Sequence, residues 1–171
     1  MRLSVGFGLM GLAMMAVSPS AWAQSCGPAP APPPTELAGW ATRVAAAPAK
    51  DVKGLNAAVL PLGKAVSATL LPGGGVSYAV KPEKPYSDGS YGGLFAIDVK
   101  AAGNYRIALG AGAWVDVVKH GKSVASATHG HGPDCSGIRK MVDFALTPGR
   151  HVVQLSGASA AAVTVMAVKL P

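Results

Sequence analysis

The stretch GLFAIDVKAAGNYRIAL, residues 93–109, decides the fold of this chain. It holds two apolar runs of strand length, 93–99 and 104–109, with a short Lys-Ala-Ala-Gly connection between them. Short runs that contain valine, isoleucine and aromatic residues and are bounded by glycine are typical of β-strands, because a helix needs a longer periodic segment. The stretch therefore predicts two consecutive strands joined by a turn.

Similar runs continue on both sides of this pair. Alternation of apolar and polar residues, with Gly or Pro turns between the runs, predicts further strands at 65–71, 76–80, 113–119, 123–128, 140–146, 150–156 and 162–170. The proline-containing segment 81–90 predicts a surface loop. Short strands at regular spacing predict an all-β fold: a single antiparallel, jelly-roll-like β-sandwich of about 8–9 strands over residues 60–171.

The first 23 residues, 1–23, predict a secretory leader that is removed on export. Arg2 provides a positive start, an apolar run follows over 5–17, and the tripeptide AWA at 21–23 has the small residues of a signal peptidase site. Cleavage there would start the mature chain at Gln24. No later stretch reaches the about 18 uninterrupted apolar residues of a transmembrane helix. We therefore expect a periplasmic or secreted protein without a transmembrane anchor.

Residues 24–59 predict an arm and linker before the sandwich. The Pro/Ala tract at 28–34 favours an extended, polyproline-like spacer. The next residues, 35–40, predict one helical turn capped by Thr35. The alanine-rich segment 40–56 is compatible with either a loop or a weak helix.

The charge distribution narrows the classes of partner. The formal net charge is +7, and removal of the leader, whose one charged side chain is Arg2, would lower it to +6. The basic residues are scattered, without a dense basic block that contains interleaved aromatic residues. This pattern argues against nucleic acid as a partner and favours at most a weak attraction to anionic surfaces. A protein, a polymer or a small-molecule ligand remains open as the partner.

The chain holds two cysteines, Cys26 and Cys135. Cysteines of exported proteins usually pair, and this pair would join the mature N-terminus to a histidine-rich loop. In the chain-entropy view, a disulfide that closes so long a loop contributes about 4–5 kcal/mol. The alternative is that Cys135 is a thiolate ligand of a metal.

The histidine-rich loop around Cys135 is the first candidate site. His129 and His131 are two positions apart, so an extended backbone would place both imidazoles on one side, and Asp134 follows closely. These residue types make the loop a candidate for binding Cu or Zn. The other candidates for ligand binding are Trp114, His120 and Arg139. Trp114 would stack on a ligand if its ring lay at the surface.

The C-terminal part of the chain carries a recurring strand pattern. It consists of FAIDV at 95–99, GNYRIAL at 103–109, WVDVV at 114–118, FALTPG at 144–149 and RHVVQLSG at 150–157. In this pattern the segment resembles the pre-peptidase C-terminal type of β-sandwich module, which is appended to secreted bacterial proteases. The resemblance implies a jelly-roll-like fold and an accessory binding or structural role.

A second resemblance covers the whole chain, including ELAGW at 36–40 and HGHGP at 129–133. The chain is similar to small exported proteins of alphaproteobacteria that carry the label homogentisate 1,2-dioxygenase. That label implies a non-haem Fe centre held by two histidines and a carboxylate, for which His129, His131 and Asp134 are the candidates. These three lie within six consecutive residues, whereas the ligands of cupin-type dioxygenases come from well-separated strands.

The sequence favours an exported accessory protein with a binding or structural role over an enzyme. It lacks the G-x-S-x-G element of a serine hydrolase, and its triple glycine at 73–75 lacks the Lys-Ser/Thr of a phosphate loop. Without a metal in the histidine-rich loop, we expect no cofactor. Two alternatives stay open: a periplasmic metal-binding protein that uses His129 and His131, and a non-haem iron oxygenase.

Overall fold

The computed structural model describes Cys26 and residues 30–171. The predicted leader at 1–23 and its cleavage site lie outside the described residues. The described part forms short 3₁₀-helices at Thr35–Trp40, Val52–Asn56 and Gly73–Gly75. Its strands are β1 (Arg43–Ala45), β2 (Ala65–Thr69), β3 (Leu71–Pro72), β4 (Tyr91–Val99), β5 (Gly103–Leu109), β6 (Trp114–Lys119), β7 (Lys122–Val124), β8 (Ser126–Gly130), β9 (Lys140–Leu146), β10 (Gly149–Ala158) and β11 (Ala162–Lys169). None of the helices in these residues is long and apolar enough to cross a membrane.

Two sheets pack face to face, which confirms the predicted all-β sandwich. The six-stranded sheet has the order β1-β2-β11-β5-β9-β8, and the five-stranded sheet has the order β3-β4-β10-β6-β7. β1 and β2 are parallel, and the other neighbouring strands are antiparallel. The pairs β2 with β11, β4 with β10, β5 with β9, and β6 with β7 are nested in the chain, which is the connectivity of a jelly roll.

The structure has more strands than the sequence pattern predicted, for two reasons. β1 is a short addition at a sheet edge, and the single strand predicted at 65–71 is wrong in detail, because β2 ends at Thr69 and Leu71 already belongs to β3 of the other sheet. The single strand predicted at 123–128 is wrong in detail, because the chain changes sheets at Ala125. Before it, β7 pairs with β6 and places Val124 opposite Val117; after it, β8 pairs with β9 and places His129 opposite Val142. The two halves of this strand therefore border the same edge of the sandwich from opposite sheets.

The core lies between the two sheets and is built by alternation. In β10, His151, Val153 and Leu155 occupy one face and are buried. Val153 pairs with Phe95 of β4, which is also fully buried. Full burial of an aliphatic or aromatic side chain contributes about 1.5–3 kcal/mol, so the strand alternation that predicts the fold also supplies its stability.

The turn between β6 and β7 fixes the register of that hairpin. Its two central residues, His120 and Gly121, have φ angles of 48° and 72°. Two positive φ angles in a two-residue connection match the type I′ turn, whose twist fits antiparallel strands. Lys119 consequently lies opposite Lys122.

The segment before β2 covers the outer face of the six-stranded sheet. Leu37 and Trp40 of the first 3₁₀-helix are buried there against Ala108, Ile138 and Met166. The predicted helical turn at 35–40 is present. Its predicted cap is wrong: Pro34 precedes the helix, and there is no side-chain cap hydrogen bond. The segment 40–56 contains β1 and a 3₁₀-helix whose start is capped by the Asp51 carboxylate.

Charged side chains fasten this N-terminal segment to the sheet. The guanidinium of Arg106 donates to both carboxylate oxygens of Asp143, from Nε at 2.8 Å and from a terminal nitrogen at 2.9 Å, and it also donates to Glu36. Thr128 donates to the same Asp143 carboxylate at 2.9 Å. Hydrogen bonding from Arg106 is the main reason that the pKa of Asp143 lies below its ordinary value. The network ties the helix at 35–40 to β5, β8 and β9.

The loop 76–90 covers part of the outer face of the five-stranded sheet. The strand predicted at 76–80 is wrong, since this segment joins no ladder of the described sheets and bends at Ala79 and Val80. The buried Gln154 side chain instead bonds both backbone groups of Val80: it accepts from the N–H at 3.4 Å and donates to the carbonyl at 3.2 Å. Ser156 donates to the carbonyl of Lys84 at 2.8 Å. Side chains of β10 thus replace the backbone partner that a strand would have.

Candidate functional site

The histidine-rich loop is anchored by a disulfide. Cys26 and Cys135 are bonded, with 5.5 Å between their Cα atoms, and this confirms the predicted pairing. The backbone N–H of Ala31 also donates to the carbonyl of Cys135 at 3.1 Å. Ser136 closes the turn through its hydroxyl, which donates to the Pro133 carbonyl at 2.6 Å. Because its sulfur is in a disulfide, Cys135 does not provide a thiolate ligand.

The structure does not bring His129, His131 and Asp134 together as a ligand set. β8 ends at Gly130, so the extended backbone that would align the two imidazoles stops between them. His129 borders a cleft between the sheets, whereas His131 lies beside Pro133 and Cys135 in a separate shallow depression. In that depression Nδ1 of His131 is 2.7 Å from the carbonyl oxygen of Arg139.

These positions do not fit the non-haem iron centre that the second resemblance implies. Such a centre needs two histidines and a carboxylate that converge on one point. Within residues 30–171 and Cys26, no three His, Cys, Asp or Glu side chains gather in a way that could hold a metal ion. In His131 only Nδ1 is engaged with a backbone carbonyl, so Nε2 is the ring nitrogen left for a ligand, and the lack of converging partners among the described residues is what argues against the centre. We therefore derive no reaction step through iron in this loop.

The three residues named for ligand binding lie in different places. Trp114 starts β6 and borders the cleft between the sheets. His120 is exposed in the turn at the other end of β6. Arg139 is exposed beside the disulfide loop, in the same depression as His131. Of the three, Trp114 alone lines the cleft.

The cleft is the candidate site. It has a volume of about 280 Å³ and lies between β6 and β7 of one sheet and β8 and β9 of the other. Its apolar wall consists of Val115, Val124, Val142 and Phe144. Its remaining lining residues are Glu83, Trp114, Asp116, Ser123, Ala125, Ser126, His129 and Lys140. A concave apolar surface with a few polar groups at its border is typical of sites for small ligands.

Lys140 places a cation at the border of this cleft. Its ammonium lies 4.8 Å from the centre of the Trp114 ring and donates to the carbonyl of Ala113 at 3.0 Å. The first contact has the geometry of a cation–π interaction. Partial burial lowers the pKa of Lys140, the charge of Lys84 lowers it further, and the charge of Asp116 opposes both effects.

A chain of hydrogen bonds holds the Trp114 ring in place. The indole N–H donates to Oδ1 of Asp116 at 3.0 Å, and the Gln154 amide donates to Oδ2 of the same carboxylate at 3.0 Å. Asp116 is 7% exposed and Gln154 is fully buried. Since Gln154 also bonds Val80, the loop 76–90, the five-stranded sheet and the Trp114 ring form one connected unit.

Several residues of this site were missed by the sequence prediction. In the sequence, Lys140 is one of many scattered basic residues, and Gln154 is one position in a strand pattern. One local signal was available: Trp114 and Asp116 are two apart in a strand, which places both side chains on one face. The approach of Lys140 and His129 depends on pairing between distant strands, for which the sequence holds no local signal.

Comparison with known proteins adds no relative. No family model matches the chain, and no curated protein matches it significantly. The geometry of the described residues is therefore the basis for any functional inference.

Proposed function

We propose that this protein is an exported accessory module that binds a small ligand in the cleft between its two sheets. One observation carries the proposal: an apolar cleft is already formed, and the aromatic ring at its border is held by a buried carboxylate. A ring that is fixed before binding loses little conformational entropy when a ligand packs on it. The proposed role is therefore ligand binding.

The size and lining of the cleft indicate what it can hold. Its volume of about 280 Å³ is near the lower end of the range for ligand pockets. Its wall of Val124, Val142 and Phe144 would remove apolar ligand surface from water. A small molecule, or the end of a longer apolar chain, fits this description.

Export is the second part of the proposal, and it is supported by the leader-like sequence and by the disulfide. Disulfides persist mainly in oxidising compartments outside the cytosol. Mass spectrometry of the periplasmic fraction should find a chain that begins at Gln24 and lacks two hydrogens relative to the reduced mass. Recovery of the full-length chain from membranes would contradict export with cleavage.

Binding can be tested with N-phenyl-1-naphthylamine, a neutral apolar dye whose fluorescence rises when it leaves water. We expect the exported protein to raise the dye fluorescence in a saturable way, with one site per chain. Ala125→Trp should abolish this signal, because Ala125 lines the cleft, is exposed and lies between β7 and β8. The larger side chain would occupy the space that the dye needs.

The matched control is Ala127→Trp. Ala127 is also exposed and lies in β8, but it is not among the residues that line the cleft. We expect this variant to bind the dye like the unaltered protein. Equal binding by Ala125→Trp and Ala127→Trp, or no saturable binding by the unaltered protein, would contradict the proposal.

A further inference from the structure

We infer that the ligand of the cleft is a small carboxylate with an apolar body, and that Lys140 holds its carboxylate. This inference rests on the proposed binding function and adds the chemical class of the ligand. Three features of the cleft carry it: the ammonium of Lys140, which has no salt bridge within the described residues, the placement of the nearby carboxylates, and the apolar wall.

The ammonium of Lys140 has capacity left for an anion. A lysine offers three N–H donors, and here one of them meets the Ala113 carbonyl at 3.0 Å while the charge lies over the Trp114 ring. Among the described residues, the salt bridges involve Arg106 and Arg150 but not Lys140. A half-buried cation without a carboxylate partner gains most from an incoming anion, because its own hydration is already reduced.

The two carboxylates at the cleft do not take that role. Asp116 directs its oxygens to the Trp114 indole and the Gln154 amide, at 3.0 Å each. Glu83 is exposed on the loop 76–90, and its carboxylate remains in contact with water.

The two lysines near the cleft favour an anion there; the Asp116 carboxylate, whose charge acts on Lys140 in the opposite sense, is already bonded to the Trp114 indole and the Gln154 amide. Lys84, on the loop 76–90, is close enough for its charge to act on Lys140, and His129 lies at the same border. A bound cation would meet the repulsion of both lysines. A bound carboxylate would reduce the repulsion between them.

The apolar wall distinguishes the expected ligand from a simple anion. Phosphate or acetate would reach Lys140 but would leave Val124, Val142 and Phe144 without a packing partner. A carboxylate with a chain or ring of several carbons fills this surface and removes it from water. Both parts of the ligand are needed: the carboxylate sets its orientation, and the apolar body supplies most of the binding free energy.

Competition with the dye tests this assignment. Octanoate, 1-octanol, octylammonium and acetate would each be titrated against the exported protein loaded with N-phenyl-1-naphthylamine. Because a hydrogen bond to a charged group contributes about 1.5–3 kcal/mol, we expect octanoate to displace the dye at a concentration about tenfold or more below that of 1-octanol. Octylammonium should be the weakest of the three eight-carbon probes, and acetate should not displace the dye.

Lys140→Met should weaken displacement by octanoate more than displacement by 1-octanol and so remove the preference for octanoate. The matched control is Lys100→Met, which removes the same charge from an exposed residue beyond the end of β4 and should keep the preference. The ranking of octanoate and 1-octanol on the unaltered protein stands even if Lys140→Met fails to fold. Equal displacement by these two probes, or an intact preference in a folded Lys140→Met, would overturn the inference and leave the binding function standing. Absence of dye binding to the unaltered protein would refute the binding function itself.

Discussion

The indole of Trp114 donates a hydrogen bond to the buried carboxylate of Asp116, with 3.0 Å between Nε1 and Oδ1. The second oxygen of Asp116 accepts from the Gln154 amide, so each oxygen has one donor. This arrangement connects the aromatic border of the cleft to the centre of the five-stranded sheet. The orientation of the ring is therefore a property of the folded sheet and does not need a ligand.

Asp116→Asn tests this connection. An asparagine keeps the size of the side chain but replaces one acceptor oxygen with an NH₂ group, which would face either the Trp114 indole or the Gln154 amide, both donors. A buried donor without an acceptor costs about 1–3 kcal/mol. We expect a loss of unfolding free energy of that size in urea denaturation and weaker dye binding in the cleft.

The control for this variant is Asp88→Asn on the exposed loop 76–90. It makes the same chemical change at the surface, where we expect an effect within about 0.5 kcal/mol. Equal stability of Asp116→Asn and Asp88→Asn would show that the buried carboxylate does not hold the ring.

Cys135→Ser tests the role of the disulfide. The bond joins Cys26 to Cys135 across 109 positions of sequence, so it restricts the unfolded chain strongly. We expect the variant to lose about 2–5 kcal/mol of unfolding free energy. Titration of the denatured, unreduced wild-type protein should detect no free thiol.

The histidines of the same loop should matter much less for stability. His129 and His131 are exposed, and the double variant with alanine at both positions should stay close to wild type in urea denaturation. A large loss in the double variant, together with two titratable thiols in the wild type, would point to a ligand role for the loop instead of a disulfide anchor.

His151 makes the stability dependent on pH. It is 1% exposed on the core face of β10, and its Nε2 is buried and meets no hydrogen-bond partner in the part of the chain that the structure describes. Burial, helped by the charges of Lys119 and His120, holds the pKa of His151 below its ordinary value of 6.5 despite the opposing effect of the Gly149 carbonyl. The unfolded chain therefore takes up the proton at a higher pH than the folded chain does. Stability is complete above about pH 6.5 and falls as the pH drops from there towards the folded pKa.

Urea midpoints measured between about pH 7.5 and pH 5 test whether stability falls with falling pH as expected. We expect His151→Leu, which removes the titrating group from the core, to lose less stability over this interval than the wild type. His129→Gln is the matched control, because His129 is exposed and is not among the charged groups that act on His151, and it should keep the wild-type dependence of the urea midpoint on pH. If the urea midpoint of His151→Leu depended on pH as steeply as that of the wild type, His151 would not be the source of the pH dependence.

The strands were predictable where the alternation of residue types along the sequence matches the alternation of buried and outer positions in the sheet. The runs at 93–99 and 104–109 correspond to β4 and β5 within two residues, because each alternates between a core face and an outer face. The same signal failed at 76–80, where the sequence alternates like a strand but the backbone of Val80 bonds to the Gln154 side chain instead of a neighbouring strand.

The site was predictable only in part. Trp114 was identified from its residue type, and Cys26 with Cys135 from the compartment and the count of cysteines. Lys140 could not be identified, because its contact with Trp114 joins β9 of one sheet to β6 of the other. Such contacts depend on how the sheets stack, which is set by packing of the whole core.

The most direct test of the account is a ¹H–¹⁵N spectrum of the exported protein during titration with N-phenyl-1-naphthylamine. Beyond the leader, the chain has two indole N–H groups: Trp114 borders the cleft, and Trp40 is buried on the outer face of the six-stranded sheet. Assignment would use Trp114→Phe. We predict that the Trp114 indole signal shifts in a saturable way while the Trp40 signal stays in place. An unmoved Trp114 signal at saturating dye would contradict the central claim that the cleft is the binding site.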